Sequence, residues 1–275
     1  MTTHLAIEKQ GPVGLITMNR PDRHNAFDEA LIDGLTEAFR SMEAEESVRI
    51  VVLSGAGKSF SAGADLNWMK RMAGFSLEEN RRDAMAFATL MRSIAHFRKP
   101  TIARVHGAAY GGGVGLVACC DIAVATQHAT FSVSEARLGL IPAVISPYVI
   151  AAIGERAARR YFLTAERFDA AEAWRLGLVH ELAGNDIELD EKLGEIVDAL
   201  IAAGPVAQLE AKALIRAVTG KPVTSELIQD TAERIAKIRA SPEGREGVGA
   251  FLEKRRASWV PPEPEVEVPP ELPEP

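Results

Sequence analysis

The chain has 275 residues, of which 47% are hydrophobic, and a formal net charge of -7 at pH 7. This composition is sufficient for a buried core and excludes a chain that is disordered throughout. The last fifteen residues, 261–275, contain five Glu, seven Pro and no Lys or Arg, so the other residues together carry a charge of only -2. A body with so little charge lacks the basic surface that binds nucleic acid, and we expect no nucleic-acid partner.

The N-terminus and the cysteines give no sign of export. Residues 1–10 lack the basic segment followed by an apolar segment that marks a secretory signal. The apolar stretches are too short and too often interrupted by glycine to span a bilayer. Cys119 and Cys120 are adjacent in an apolar run, which is typical of buried small hydrophobic residues rather than of a disulfide or a metal site. We therefore expect a cytoplasmic protein with no membrane partner and no metal.

Short strands and one helix are predicted in the N-terminal part. Residues 5–9 and Val13–Met18 favour two strands joined by a turn at Gly11. Asn25 stands where it could cap a following helix. That helix is indicated by apolar residues at helical spacing, namely Phe27, Leu31, Leu35, Phe39 and Met42. A buried strand over residues 50–53 follows.

Glycines mark the turns of the next segment. Gly57, Lys58 and Ser59 resemble the end of a phosphate-binding loop, but that motif needs a glycine where Val52 stands, so we interpret the segment as a tight turn. Further elements are a helix over residues 84–94, strands over 101–105, 121–125 and 130–133, and a helix over 114–119. Strands therefore alternate with helices as far as Val179, which predicts an α/β fold.

The C-terminal part is predicted to be helical. Pro205 fits the first turn of a helix, and helices are indicated over residues 207–218, 225–239 and 244–256. The Pro- and Glu-rich end has nothing to bury and predicts an extended, disordered tail. We divide the chain into a core over residues 1–200, a helical region over 201–259 and the tail over 260–275.

Two glycine-rich turns indicate a binding site. Residues 61–66 read Ser-Ala-Gly-Ala-Asp-Leu, and such small residues let a ligand approach backbone N–H groups. Gly111–Gly113 lies between a strand and a helix, where the first helical N–H groups can bind an anion. Each pattern alone also fits an ordinary turn or close helix–strand packing. Together they can form an oxyanion hole, in which each donor contributes about 2.7–4 kcal/mol to the transition state.

These turns and their surroundings resemble the crotonase family, the enoyl-CoA hydratases and isomerases. The matching segments follow the family's order between residues 5 and 259: Asn-Arg-Pro at 19–21, Asn-Ala at 25–26, Phe-Ser-Ala-Gly-Ala-Asp-Leu at 60–66, Gly-Ala-Ala-Tyr-Gly-Gly-Gly at 107–113, Cys-Asp-Ile-Ala at 120–123, Ser-Glu-Ala-Arg-Leu-Gly-Leu-Ile-Pro at 134–142, Ala-Glu-Ala-Trp-Arg-Leu-Gly-Leu-Val at 171–179 and Ala-Phe-Leu-Glu-Lys-Arg at 250–255. Because several motifs occur in order, the chain is identified as a member of this family.

The resemblance implies a crotonase-like α/β fold, a spiral of ββα units with a C-terminal helical trimerisation region, assembled as a homotrimer or a dimer of trimers. It implies an acyl-CoA thioester substrate and no cofactor, since CoA is part of the substrate. By motif position, the N–H groups of Ala64 and Gly112 would hold the thioester oxygen and Glu135 would be the acid/base. The implied substrate- and CoA-binding residues are Arg23, Ala62, Asp65, Leu66, Gly111, Gly115, Pro142, Phe251 and Lys254.

Glu135 is also a candidate from its own surroundings. It follows a β-like run at residues 130–133 and precedes an apolar segment that ends at Pro142. Burial among apolar groups raises the pKa of a carboxyl group, which suits proton transfer near neutral pH. Without the resemblance, the favoured interpretation is an exposed Glu135 paired with Arg137.

Gly115 departs from the family pattern, because well-known hydratases carry a second glutamate at that position. We expect the glycine to remove a charge and to open volume beside the acyl group. The departure makes a Δ3-Δ2-enoyl-CoA isomerase, which works with one carboxylate, the alternative to a hydratase. The segments at 111–116 and 142–149 resemble bacterial hydratases of methylglutaconyl-CoA or isohexenylglutaconyl-CoA, which favours a branched substrate such as 3-methylglutaconyl-CoA.

Two more side chains and one more class of protein complete the alternatives. His106 and Tyr148 are possible auxiliary donors, although a packing or hydrogen-bonding role is favoured for each. A non-catalytic CoA-binding or RNA-binding scaffold is the third hypothesis. Glu135 between two intact oxyanion motifs argues against an inactive scaffold, and the missing basic surface argues against RNA. The sequence therefore predicts an enoyl-CoA hydratase, a lyase.

Overall fold

The computed structural model describes residues 4–261, which form ten strands and ten helices. The strands are β1 (Leu5–Gln10), β2 (Val13–Met18), β3 (Ile50–Gly55), β4 (Ser59–Ser61), β5 (Thr101–Val105), β6 (Ala108–Tyr110), β7 (Ile122–Thr126), β8 (Thr130–Ser132), β9 (Phe168–Asp169) and β10 (Glu181–Ala183). The helices are α1 (Glu29–Ala44), α2 (Leu66–Met72), α3 (Leu77–Ala95), α4 (Gly112–Cys119), α5 (Ser146–Thr164), α6 (Ala170–Leu176), α7 (Asp186–Ala202), α8 (Pro205–Val218), α9 (Ser225–Ala240) and α10 (Pro242–Leu252). Short 3-10 helices occur at Pro21–Arg23 and Glu135–Leu138.

The strands form two sheets. One has six strands in the order β1-β2-β3-β5-β7-β10, and the other has four in the order β4-β6-β8-β9. Consecutive strand pairs are divided between the sheets, so that β3, β5 and β7 lie side by side in the first and β4, β6 and β8 in the second. Neighbours in both series pair in parallel. The predicted α/β fold, a spiral of ββα units, is therefore confirmed.

Two compact units make up the chain, residues 1–200 and the residues from 201 onward. The first unit carries both sheets, and the second contains α8, α9 and α10. Within the second unit, Glu243 of α10 accepts hydrogen bonds from the N–H groups of Val206 at 2.9 Å and Ala207 at 2.8 Å. These bonds satisfy first-turn donors of α8 that have no partner inside that helix. The predicted tail lies outside the described residues, apart from its first two positions.

An apolar cluster forms the core of the first unit. The Phe39 and Phe97 rings meet edge to face with centroids 5.4 Å apart, a favourable geometry for two aromatic rings. Cys119 and Cys120 form no disulfide and belong to the same buried cluster. Their prediction as buried small hydrophobic residues is confirmed.

The prediction that Asn25 caps the first helix is wrong, because Asp28 takes that place. The Asp28 side chain accepts the N–H of Leu31 at 3.0 Å. Asn25 instead has a φ of 53°, a left-handed conformation that Asn tolerates better than most residues. Its side chain accepts the N–H of Arg20 at 2.9 Å and donates to the carbonyl of Ser59 at 2.8 Å. Asn25 therefore holds the turn that begins at Arg20 against β4.

Two helix boundaries also differ from the sequence prediction. Helix α3 begins at Leu77, seven residues earlier than predicted, because Ser76 and Glu79 form a reciprocal capping box that satisfies its first donors. Helix α10 ends at Leu252 rather than at residue 256. The chain turns away there because Lys254 adopts a left-handed φ of 54°.

Candidate active site

A cavity of about 480 Å³ lies where the two glycine-rich turns come together. Apart from Phe27, its lining comes from residues 62–72, 83–87, 111–112 and 134–145. The lining is mostly apolar and includes Phe27, Trp68, Met69, Met72, Phe87, Leu138, Leu140, Ile141, Val144 and Ile145. The predicted site residues among the lining are Ala62, Ala64, Leu66, Gly111, Gly112, Glu135 and Pro142. A largely apolar cavity with a few polar groups is the usual form of a small-molecule site.

The Glu135 carboxylate lies in this cavity without a charged partner. The residue begins the 3-10 helix that follows β8, and its side chain is half-buried. Its Oε2 atom is buried and has no hydrogen-bond partner among the described residues. Burial raises the pKa of Glu135, against a smaller lowering effect of its own backbone N–H. Glu135 forms no ion pair with Arg137 in the described residues, and its Oε2 atom is buried rather than exposed, so the interpretation as a surface pair is wrong.

Gly111 allows the Glu135 carboxylate to lie against the backbone. A Cβ atom at Gly111 would stand 3.2 Å from Oε1 of Glu135, and the glycine has a φ of 50° that L side chains rarely adopt. The Gly111 N–H donates to the carbonyl of Ser132 at 2.8 Å. Ser132 ends β8, the strand that leads to Glu135, so this bond fixes the turn relative to the carboxylate.

The backbone N–H groups of Ala64 and Gly112 are candidate oxyanion donors. Gly112 is the first residue of α4, so its N–H has no partner inside the helix. Ala64 forms an isolated β-bridge with Phe27. The bridge uses the N–H groups of Phe27 and Asp65 and leaves that of Ala64 unused. Since both residues line the cavity, two N–H groups are available to one ligand oxygen.

Asp65 lies just beyond Ala64, and its carboxylate is fully engaged with the protein. Its side chain accepts the N–H of Asn67 at 2.8 Å and so caps α2. It also pairs with Arg20 at 3.3 Å and with Arg23 at 2.8 Å. Burial acts to raise the pKa of Asp65, but the hydrogen bonds from Arg23 and from the start of α2 outweigh it, and the pKa is lowered. Asp65 therefore positions Arg23 and α2.

A second cavity of about 450 Å³ shares Ala62, Ala64 and Leu66 with the first. Arg23 and Lys70 also line it. The Arg23 side chain is half-exposed and fixed by Asp65. Two cations beside an apolar cavity suit a ligand with an anionic part and an apolar part. An acyl-CoA has both.

The expectation that Gly115 opens volume beside the acyl group is wrong. Gly115 is buried in α4 and is not among the lining residues. A Cβ atom there would collide with the Cγ2 atom of Ile145 and would stand 2.9 Å from its Cβ atom and 3.2 Å from the Sδ atom of Met91. Its Cβ direction therefore points into protein, and the glycine permits close packing of α4 against neighbouring side chains.

The other predicted residues lie outside the cavity lining. His106 accepts or donates through Nε2 to the carbonyl of Gly57 at 2.9 Å, and Tyr148 packs against the apolar core. Phe251 and Lys254 belong to the second unit, where Phe251 is 82% exposed at the end of α10. Their contact with CoA remains a prediction.

Asp83 and Trp68 line the cavity although the sequence analysis did not identify them. The Trp68 Nε1 atom donates to Oδ1 of Asp83 at 3.1 Å. Burial raises the pKa of Asp83, and the hydrogen bond from Trp68 partly opposes it. Asp83 stands four residues before Phe87 on α3, so both project from one helix face. The four-residue spacing of Asp83 and Phe87 was the signal in the sequence that could have identified Asp83.

Residues 4–261 contain neither a candidate metal site nor a candidate membrane span. No group of three or more His, Cys, Asp or Glu side chains in this range could hold a metal ion. No helix in the same range is long and apolar enough to cross a membrane.

Comparison with known proteins identifies the family. Residues 8–261 match the family model for enoyl-CoA hydratase/isomerase. The crystal structure of an enoyl-CoA hydratase from Shewanella pealeana ATCC 700345 superposes with a TM-score of 0.90 at 44% identity, covering 93% of this chain and 96% of that chain. Pseudomonas aeruginosa AtuE gives 0.90 at 36% identity, covering 94% and 100%. The 2,3-dehydroadipyl-CoA hydratase of Escherichia coli K12 is 30% identical over 255 residues, 92% of this chain and 97% of that protein. The chain therefore belongs to the enoyl-CoA hydratase/isomerase family of enzymes.

Proposed function

We propose that this enzyme adds water across the α,β double bond of an enoyl-CoA thioester, and catalyses the reverse dehydration, with Glu135 as its acid/base. The observation that carries the proposal is the Glu135 carboxylate, whose Oε2 atom is buried without a partner. It faces the same cavity as the unused N–H groups of Ala64 and Gly112. The raised pKa keeps the group basic enough to take a proton from water and acidic enough to return it.

One carboxylate is enough for the proposed reaction. Glu135 takes a proton from water while the water oxygen bonds to the β-carbon, and the double-bond electrons move onto the thioester oxygen. The N–H groups of Ala64 and Gly112 stabilise that enolate, each by about 2.7–4 kcal/mol. The electrons then return as the α-carbon takes the proton from Glu135. The net change is the addition of one water molecule, and the enzyme ends as it began.

A Δ3-Δ2-enoyl-CoA isomerase is the second candidate. It is supported by the position of Gly115, where side chains of the core occupy the space that a second carboxylate from α4 would need. An isomerase uses one carboxylate to move a proton between two carbons and binds no reacting water. Hydration and isomerisation therefore share the enolate and differ in whether water has access to Glu135.

Three substrates separate these reactions. Purified enzyme is incubated with crotonyl-CoA, 3-methylglutaconyl-CoA and a 3-enoyl-CoA, and the ultraviolet absorbance of the conjugated thioester is followed. Loss of absorbance with either of the first two shows hydration. A gain with the 3-enoyl-CoA and no loss with the others would overturn the hydratase proposal in favour of the isomerase. Absence of any change, with CoA esters still bound, would support a non-catalytic scaffold.

We propose a branched acyl group for the substrate. Support comes from the resemblance of residues 111–116 and 142–149 to hydratases of branched acyl-CoA esters, and from the apolar lining of the cavity. A branched hydrocarbon skeleton such as that of 3-methylglutaconyl-CoA can bury its methyl group there, which contributes roughly 0.8 kcal/mol per buried carbon. The free carboxylate of 3-methylglutaconyl-CoA gains no such stabilisation, because the charged side chains of the lining, Glu135 and Asp83, are both acidic.

The assembly is proposed to be a homotrimer or a dimer of trimers. Support comes from the family resemblance alone. Phe251 and Lys254 resemble C-terminal residues that meet CoA in this family, often across a subunit boundary. Multi-angle light scattering of the purified protein measures the mass directly. A monomer of 29.6 kDa that is fully active would overturn this proposal.

A further inference from the structure

The wall of the active-site cavity has an acidic group besides Glu135 and no basic one. Of the 22 residues that line it, Asp83 and Glu135 carry the charge, and none of the described lining residues is Lys, Arg or His. Arg71 lies nearby, but it pairs with Glu29 at 2.6 Å. A carboxylate in this part of the cavity would leave water without gaining a basic side chain of the lining as its partner.

Asp83 is fixed in this wall. Its Oδ1 atom accepts the Trp68 Nε1–H at 3.1 Å, and Trp68 is only 6% exposed. This bond joins α3 to α2, the helix that begins directly after the Ala64 turn. The carboxylate therefore cannot leave the wall without breaking a hydrogen bond to a buried ring.

Asp83 lines the cavity at some distance from the Gly112 turn. Phe87, one turn further on the same helix face, lies against Gly112, because a Cβ atom at Gly112 would stand 2.6 Å from the Cζ atom of Phe87. One turn of helix is about 5.4 Å. Asp83 is therefore about one helical turn from the residue that contacts the Gly112 turn, and both residues line the same cavity.

We infer that Asp83 is a specificity-determining residue, which excludes acyl chains that carry a carboxylate and so selects uncharged, apolar enoyl-CoA substrates. The inference rests on the proposed hydration for its reaction, although the charge selection itself concerns binding. It gives this enzyme a preference opposite to that named for its Escherichia coli relative, a 2,3-dehydroadipyl-CoA hydratase. The carboxylate of such a chain would face Asp83 across the cavity, and like charges in a partly dry site repel.

The test uses two substrates of equal length that differ in one charge. 2-Hexenoyl-CoA is neutral at its end, and 2,3-dehydroadipyl-CoA has a carboxylate there. We expect the enzyme to favour the neutral chain by at least about tenfold in kcat/KM. Asp83→Asn keeps an acceptor for Trp68 and removes the charge. It should narrow the preference for 2-hexenoyl-CoA over 2,3-dehydroadipyl-CoA at least about fivefold in kcat/KM.

Two further variants separate charge from shape. Glu78→Gln removes one charge from the first turn of the same helix but from outside the cavity lining, and it should leave the preference unchanged. Asp83→Ala removes both the charge and the acceptor, and it should narrow the preference as Asp83→Asn does. An unchanged preference in folded Asp83→Asn, or an enzyme that favours 2,3-dehydroadipyl-CoA, would overturn the inference.

Binding of saturated analogues distinguishes this inference from the proposed function. Calorimetry with hexanoyl-CoA and adipyl-CoA gives the Kd ratio without any turnover. If neither enoyl-CoA is hydrated but Asp83→Asn narrows the Kd ratio, the charge selection holds and the hydratase proposal fails. If both are hydrated and neither the kinetic nor the Kd ratio responds to Asp83→Asn, the hydratase proposal holds and the selection by Asp83 is wrong.

Discussion

Asp65 and Glu135 are both partly or fully buried carboxylates that follow a turn of small residues or a strand, yet their surroundings have opposite effects on the pKa. Asp65 receives hydrogen bonds from Asn67 and Trp68 and pairs with Arg20 and Arg23, and its pKa is lowered. Glu135 has a buried oxygen without a partner, and burial raises its pKa. The first environment stabilises the charged form and the fold, whereas the second keeps a proton exchangeable.

This difference indicates which role each carboxylate can have. A carboxylate that already accepts several donors has little basicity left for a substrate, so Asp65 organises the second cavity by holding Arg23 and the start of α2. A desolvated carboxylate with a free oxygen is costly to the fold and suited to proton transfer.

Replacing Glu135 by Gln should have the largest effect, on turnover. The amide keeps the shape of the side chain but cannot accept the proton of water, so kcat should fall at least about 100-fold. Binding of a saturated acyl-CoA, measured by calorimetry, should change by less than about threefold. A folded Glu135→Gln enzyme that retains more than about a tenth of the normal kcat would remove Glu135 from the proposed chemistry.

Replacing Asp65 by Ala should mainly affect stability. The change leaves Arg20, whose side chain is 5% exposed, without one of its two carboxylate partners and removes the cap of α2. Breaking a buried pair and losing a cap should together lower the free energy of unfolding by about 3 kcal/mol. Urea unfolding followed by circular dichroism measures this.

Glu29→Ala is the matched control for that prediction. It also removes a carboxylate partner of an arginine, because Glu29 pairs with Arg71 at 2.6 Å, but both side chains are about half-exposed. An exposed pair contributes less than about 1 kcal/mol. Equal losses of unfolding free energy in Asp65→Ala and Glu29→Ala would show that Asp65 stabilises the fold no more than an exposed ion pair does. Its contrast with Glu135 would then be lost.

The fold was predictable from the sequence further than the site was. Alternating strand and helix patterns, with glycines at the turns, reflect local preferences and the period of side-chain burial. These patterns predicted most strands of the six-stranded sheet and six of the ten helices, but not α5, a helix of 19 residues. Asn25 was assigned to the wrong role because its partners, Arg20 and Ser59, come from two other segments. A helix cap within one segment can be predicted from the sequence, whereas a hydrogen bond between residues 34 positions apart cannot.

Within the site, the family motifs predicted which residues meet, and packing decided what they contact. The turn at Ala64, the turn at Gly112 and Glu135 do line one cavity. Gly115 was expected beside the acyl group because a motif position says nothing about a neighbour such as Ile145, 30 residues away. Asp83 was missed for the same reason, since the bond from Trp68 that fixes it depends on how α2 meets α3.

Replacing Gly115 by Ala should have an intermediate effect, on stability and not on chemistry. The added Cβ atom would stand 2.9 Å from the Cβ atom of Ile145, and overpacking of this kind costs about 1–3 kcal/mol. The gain in helix propensity returns roughly 1 kcal/mol, so we expect a net loss of up to about 2 kcal/mol in the free energy of unfolding, measured in urea. The kcat of the folded variant should stay within about twofold, because the atoms nearest the added Cβ belong to Ile145 and Met91 and not to Glu135 or the two glycine-rich turns.

Gly194→Ala provides the comparison for Gly115→Ala. Gly194 is also helical, in α7, and a Cβ atom there meets nothing within 4 Å. That variant should be as stable as the parent protein or slightly more so. A Gly115→Ala enzyme that unfolds like the parent but has lost more than about tenfold in kcat would restore Gly115 to the acyl site.

The smallest expected effect is a pH-dependent difference in stability between the two carboxylates. The folded pKa of Glu135 is raised above its ordinary value. Its contribution to stability is therefore present at pH values below the unfolded pKa and is lost as the pH rises through the folded pKa. Glu135→Gln has no such loss, so the melting temperature of the variant minus that of the parent should increase between pH 4 and pH 8. Differential scanning calorimetry in one buffer series measures that difference.

Asp65→Asn supplies the opposite sign. The folded pKa of Asp65 is lowered, so its contribution is present above the unfolded pKa and is lost only as the pH falls through the folded pKa. The melting temperature of Asp65→Asn minus that of the parent should therefore be negative and nearly constant from pH 6 to pH 8, where the Glu135→Gln difference has reached its highest values. If instead the Glu135→Gln difference falls with rising pH, the Glu135 carboxylate has a stabilising partner in solution. The contrast between a satisfied and an unsatisfied carboxylate would then be lost, because a partner that lowers the pKa of Glu135 would also weaken it as a base.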